Sequence, residues 1–129
     1  MAHQRRIERV NQLLKEELSR LIRRAVKDPR VSPVTVTGVE TTEDLRHATV
    51  YVRTLGDEVP VEEAIEGLRS AEGYLRGTLG RELHLRRIPE FEWEADRTLE
   101  RVARIEALLD EVMPEDDEEG DDGDDAGRE

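Results

Sequence analysis

Arg69 and Arg76 flank the run Ser70-Ala71-Glu72-Gly73. Gly73 reaches backbone conformations that a residue with a Cβ resists, so a helix can break there and restart. A restarting helix would point free N–H groups outward, and two guanidinium groups beside them would suit a phosphate. A plain turn between two helices, with Gly73 as a C-cap residue, fits the same spacing. Two further basic patches accompany this one. Arg81, Arg86 and Arg87 surround His84, and Arg5, Arg6, Arg9, Arg20, Arg23, Arg24 and Lys27 run along the opening segment, followed by Arg30. Arg9, Arg20, Arg24 and Lys27 fall near one stripe of a helix. Glu16 and Glu17 interrupt that stripe, and an i,i+4 pair such as Glu16 with Arg20 would make it a solvated face. Three basic patches around one break shift the balance toward an anionic partner.

No comparable constellation exists for catalysis. His3, His47 and His84 lie on three different predicted elements, and none has a convincing metal-pair residue at i+3 or i+4. Neither G-x-S-x-G nor a P-loop is present. With no cysteine, disulfides, thiolate zinc sites and cysteine nucleophiles are excluded. The expectation from these residues is a protein that binds, with no enzymatic activity and no metal. The four aromatic residues are Tyr51, Tyr74, Phe91 and Trp93. Phe91 and Trp93 alternate like core residues, whereas proteins that stack single-stranded bases usually expose more rings. Contact with RNA backbone and shape, sensitive to salt, is therefore expected.

The elements that must position these groups follow from hydrophobic spacing. Residues 4–27 read as a long helix, with Ile7, Val10, Leu14, Leu18, Leu21, Ile22 and Ala25 three and four apart. Asp28-Pro29 stops it. Residues 34–41 and 45–54 read as two β-branched strands joined by the polar turn Thr42-Glu43-Asp44, an antiparallel hairpin. Pro60, Glu62 and Glu63 suit a helix start. Its stripe, Val61, Ala64, Ile65 and Leu68, falters at residues 70–73 and resumes with Leu75, Leu79 and Leu83 as a new helix. Phe91, Trp93 and Ala95 alternate as a third strand, and residues 98–112 read as a last helix carrying Leu99, Val102, Ile105, Leu109 and Val112 on one face. A three-stranded sheet covered on one face by helices is the simplest packing, mixed if the third strand runs parallel to another.

The chain has 129 residues, of which 40% are charged and 36% apolar, so it holds one domain with a small core. Its net charge of −12, taken alone, argues against a nucleic-acid partner, but the acid is unevenly spread. Residues 114–129 carry ten acidic side chains against one Arg, whereas residues 1–30 carry nine basic against four acidic. The expected organisation is a domain over 1–113 and a disordered acidic tail over 114–129. No signal peptide and no membrane span are expected, which leaves a cytoplasmic protein, and a small charged domain suggests a monomer.

In this order the segments resemble the bacterial ribosome-binding factor A family over about residues 4–112. The most telling stretches are Asp28-Pro29-Arg30-Val31, Val36-Thr37-Gly38-Val39-Glu40, Asp44 to Val52, Ala71-Glu72-Gly73, Leu85-Arg86-Arg87-Ile88-Pro89 and Phe91 to Asp96. The resemblance implies an α+β fold of type II KH character, of order αββααβ with an extra C-terminal helix. An interhelical A-x-G kink replaces the usual G-x-x-G loop, and Ala71 and Gly73 match it. It further implies a factor that binds the free 30S subunit and its 16S rRNA, supports late maturation and 5′-end processing, is linked to growth in the cold, and works without a cofactor or a small-molecule substrate. The RNA-contact set Arg5, Arg6, Arg9, Arg20, Arg24, Lys27, Arg30, Arg69, Arg76, Arg81, Arg86 and Arg87 rests on charge. A rival reading is a protein-interaction module that meets a basic ribosomal protein through its acidic tail and helix faces.

Overall fold

The computed structural model describes residues 2–112. The first compact unit runs to Asp96, and a second begins at Arg97. Helix α1 (Ala2–Ala25) buries Ile7, Val10, Leu14, Leu18, Leu21 and Ile22, the stripe expected from their spacing. Past it, Val31 and Ser32 donate backbone N–H groups to the Asp28 carbonyl at 2.9 and 3.1 Å, and the tight turn sinks Val31 into the core.

Strands β1 (Val34–Thr41) and β2 (His47–Thr54) pair antiparallel. β3 (Glu90–Ala95) pairs parallel to β2, so the sheet is mixed in the order β1-β2-β3. Plain alternation along β1 would place Val36 and Val39 on opposite faces. The register instead shifts between Val36 and Gly38, and both valines are buried. A bulge of this kind inserts one residue and returns the apolar set to the core face. The Thr37 hydroxyl holds the irregular point by donating to the Tyr51 carbonyl at 3.2 Å.

Helix α2 (Val61–Glu82) is one uninterrupted helix of 22 residues. The break expected at Ser70-Ala71-Glu72-Gly73, with a second helix restarting after it, is not formed. Backbone N–H groups there serve the helix ladder rather than an external anion. The apolar stripe does not lapse: Leu68, Ala71, Leu75 and Leu79 follow at helical spacing, with Ala71 partly buried against the core. The helix starts at Pro60, whose carbonyl accepts from the N–H groups of Glu63 and Ala64 at 3.0 and 3.1 Å. Gly67 is where α2 meets the turn after α1. A Cβ there would lie 2.8 Å from Val31 Cγ2, so only glycine permits that approach.

α1 and α2 cover one face of the sheet. Leu14, Leu18, Leu68, Leu75 and Leu79 pack with Val50, Val52, Phe91 and Trp93 in one cluster. The other face bears His47, Thr49 and Tyr51 of β2 and Glu90, Glu92 and Glu94 of β3. Helix α3 (Thr98–Val112), in the second unit, forms where expected, and every one of its residues is exposed. The acidic tail, 114–129, and the domain limit at 113 lie outside the described residues. Among the described residues no helix is long and apolar enough to cross a membrane, and no group of three or more His, Cys, Asp or Glu could hold a metal.

Candidate nucleic-acid interface

The β1–β2 connection is built to hold one arginine. Asp44 Oδ1 accepts from the Thr42 hydroxyl at 2.7 Å and from the Arg46 backbone N–H at 3.1 Å. The Thr42 N–H donates to the His47 carbonyl at 2.8 Å and the Leu45 N–H to the Thr42 carbonyl at 2.9 Å. These bonds keep Leu45 at φ 61°, a left-handed conformation that a bulky side chain resists. The Thr42 hydroxyl, and next the Arg46 N–H, hold the Asp44 carboxyl below its ordinary pKa, so it stays ionised and the turn stays closed.

The segment between α2 and β3 is pinned beside this turn. Arg76 donates from Nε to the Pro89 carbonyl at 3.0 Å and from a terminal nitrogen to the Ile88 carbonyl at 2.9 Å. The Glu90 N–H donates to the Arg46 carbonyl at 2.9 Å. Arg86 and Arg87 are thereby held next to Arg46, and α1 brings Arg6 to the same place. Together they line a cavity of about 260 Å³, whose apolar wall is Val10, Leu45, Leu85 and Pro89 and whose one carboxylate is Asp44. Among the described residues no ion pair occupies Arg6, Arg46, Arg86 or Arg87. Four guanidinium groups against one carboxylate make this a site for an anion with several acceptor oxygens.

The structure sorts the charge-based set. Arg6, Arg86 and Arg87 converge on the cavity. Arg76 does not face an outside partner; it is a clamp on backbone carbonyls. Arg30 is taken up by Asp28, with 2.7 Å between Nη2 and Oδ2, and reaches Glu66 at 4.0 Å. Arg30 in turn holds the Asp28 carboxyl below its ordinary pKa, chiefly by its side-chain hydrogen bond. Arg24 pairs with Glu82 at 3.4 Å, and Arg81 donates to the Thr78 hydroxyl at 3.2 Å. Arg20 pairs with Glu17 rather than Glu16, which instead accepts from the Gln12 amide at 2.8 Å. Arg5, Arg9, Lys27 and Arg69 are exposed and line neither described cavity. Arg20 lies fourteen residues along α1 from Arg6, about 21 Å at the helical rise.

Ala71 and Gly73 contribute helix, not loop. Gly73 is exposed, with nothing within 4 Å of where a Cβ would stand. The chemistry of that segment belongs to Glu72, whose carboxylate accepts the Phe91 N–H at 3.2 Å and the Trp93 indole N–H at 3.0 Å. Sequence reasoning missed Arg46 because it stands alone in a strand-like stretch. The only local sign was Asp44 two residues before it, an arrangement that closes a turn on its own backbone.

A family model described as Ribosome-binding factor A matches residues 6–109. The chain is 45% identical over 111 residues to the Ribosome-binding factor A of Thioalkalivibrio sulfidiphilus, covering 86% of each. Its fold is similar to the crystal structure of ribosome-binding factor A from Thermus thermophilus, with TM-score 0.61 and 31% identity over 69% of this chain and 94% of that one. It is also similar to a homology model of the Thermus thermophilus factor fitted into the cryo-EM map of a 30S complex, with TM-score 0.57 and 33% identity over 67% of this chain and 91% of that one. The length of the family match and the identity to a curated relative place this chain in the ribosome-binding factor A family.

Proposed function

We propose that this chain is an assembly factor that binds the free 30S subunit by gripping 16S rRNA in the cavity between Arg6, Arg46, Arg86 and Arg87. The observation that carries this reading is the cavity itself: four guanidinium groups against the single carboxylate of Asp44, drawn together from three separate parts of the chain. Such a cluster is costly in self-repulsion unless an anion occupies it. The similarity to a factor fitted into a 30S map supports the choice of anion. The protein acts by binding in the cytoplasm, supports late maturation of the subunit and 5′-end processing of 16S rRNA, and matters most in the cold. It needs no cofactor, and it favours one rRNA arrangement by binding that arrangement more tightly.

Sedimentation with free small subunits and with whole ribosomes across a salt series tests this. Binding to free small subunits that falls steeply with salt is expected. Binding that ignores salt, or survives removal of RNA, would move the interface to a protein partner.

A further inference from the structure

The cavity has more shape and more apolar wall than a phosphate backbone needs. Its volume of about 260 Å³ leaves room for one planar base. Leu45, Leu85 and Pro89 line it beside the guanidinium groups. A-form RNA offers a wide, shallow minor groove and a major groove that side chains cannot enter, so a duplex has nothing to place in an apolar recess. An unstacked base does: its faces fit an apolar wall and the plane of a guanidinium. Asp44, held ionised in the same wall, would repel a second phosphate.

Resting on the RNA reading of this site, we propose that the cavity takes one unpaired nucleotide of single-stranded RNA, the base against the partly exposed Leu45 and Leu85 and its phosphate on Arg46, Arg86 and Arg87. Leu45 is then the side chain that the turn strains into place for the base. This replaces the expectation of pure backbone contact: the platform for the base is aliphatic and guanidinium, not aromatic.

The test compares a short unstructured RNA strand with the blunt duplex it forms with its complement, using wild type, Leu45→Asn and Arg46→Gln. Asparagine tolerates the left-handed conformation at position 45, so the turn is kept while the apolar wall is lost. The expected results are tighter binding of the single strand, about threefold or greater weakening by Leu45→Asn with the salt slope unchanged, and a salt slope about 0.7 smaller for Arg46→Gln. Equal binding of strand and duplex, or a Leu45→Asn protein that is folded and binds the strand like wild type, would overturn the nucleotide pocket and leave the RNA reading standing. Failure of the wild type to bind either RNA would overturn both.

Discussion

Glu72 and Trp93 are joined across the molecule by a hydrogen bond of 3.0 Å from the indole N–H to the carboxylate. The same carboxylate accepts the backbone N–H of Phe91 at 3.2 Å, so one side chain of α2 fixes two residues of β3. Four residues further along α2, Arg76 holds the carbonyls that lead into that strand. The helix that was expected to break is the rod from which β3, and with it the Arg86–Arg87 segment, is hung.

Replacing Glu72 with Ala leaves the indole N–H of Trp93, which is 3% exposed, without its acceptor. A buried donor left unpaired costs about 1–3 kcal/mol, or roughly 4–8 °C in Tm for each kcal/mol in a domain of this size. Glu72→Gln keeps an acceptor and should lose less. Trp93 is the only tryptophan, so its fluorescence during denaturation reports this contact directly.

Two glycines of α2 should respond in opposite directions. Gly73→Ala should stabilise by about 0.5–1 kcal/mol, because the helix is continuous there and a Cβ meets nothing within 4 Å. Gly67→Ala should destabilise, because its Cβ would stand 2.8 Å from Val31 Cγ2. Thermal melts of the two variants check both. A loss of stability in Gly73→Ala would restore the broken helix.

Arg76 and Arg86 separate folding from binding. Arg76→Ala removes two hydrogen bonds to backbone carbonyls and should lower Tm together with subunit affinity. Arg86 is exposed and, among the described residues, has no ion pair, so Arg86→Gln should lower affinity and leave Tm within about 2 °C of wild type.

Acid should act through Asp28 and Asp44. Both carboxyls are held below the ordinary 3.8 when folded, so each contributes stability that is complete above that value and is lost as pH falls from it through the lowered folded value. Asp28→Asn should flatten the acid limb of the stability curve below about pH 4, with little effect on that limb's shape near neutrality. Denaturation midpoints across pH 2.5 to about 7 measure this.

Helix α1, the hairpin and β3 were legible because their apolar residues recur at periods of 3.6 or two, and Phe91 and Trp93 are buried as their alternation requires. The parallel pairing of β3 was open, since a crossover helix permits it without demanding it. The continuity of α2 was misread at Gly73, a weak helix former. There Ala71 carries the apolar stripe between Leu68 and Leu75, and packing overrides the local preference. The bulge in β1 had no separate signal beyond the three-residue step from Val36 to Val39. Arg6, Arg86 and Arg87 could be found by charge alone. That Arg46 joins them, and that backbone carbonyls take Arg76, are tertiary facts that no local pattern encodes, whereas the Asp28–Arg30 pair closes within two residues and was there to be read.

A cavity that holds rRNA and a surface that attracts it by basic charge in general differ in where charge reversal hurts. Two triple variants carry the same change in net charge: Arg46→Glu/Arg86→Glu/Arg87→Glu in the cavity, and Arg20→Glu/Arg24→Glu/Lys27→Glu on the far part of α1 and just past its end. Their affinities for free small subunits, measured at one salt concentration, decide between the two. The cavity variant should bind about a hundredfold or more weakly, since three charge-assisted contacts become repulsive, while the α1 variant stays within about threefold of wild type. Equal losses in the two, or a larger loss from α1, would contradict rRNA binding in the cavity.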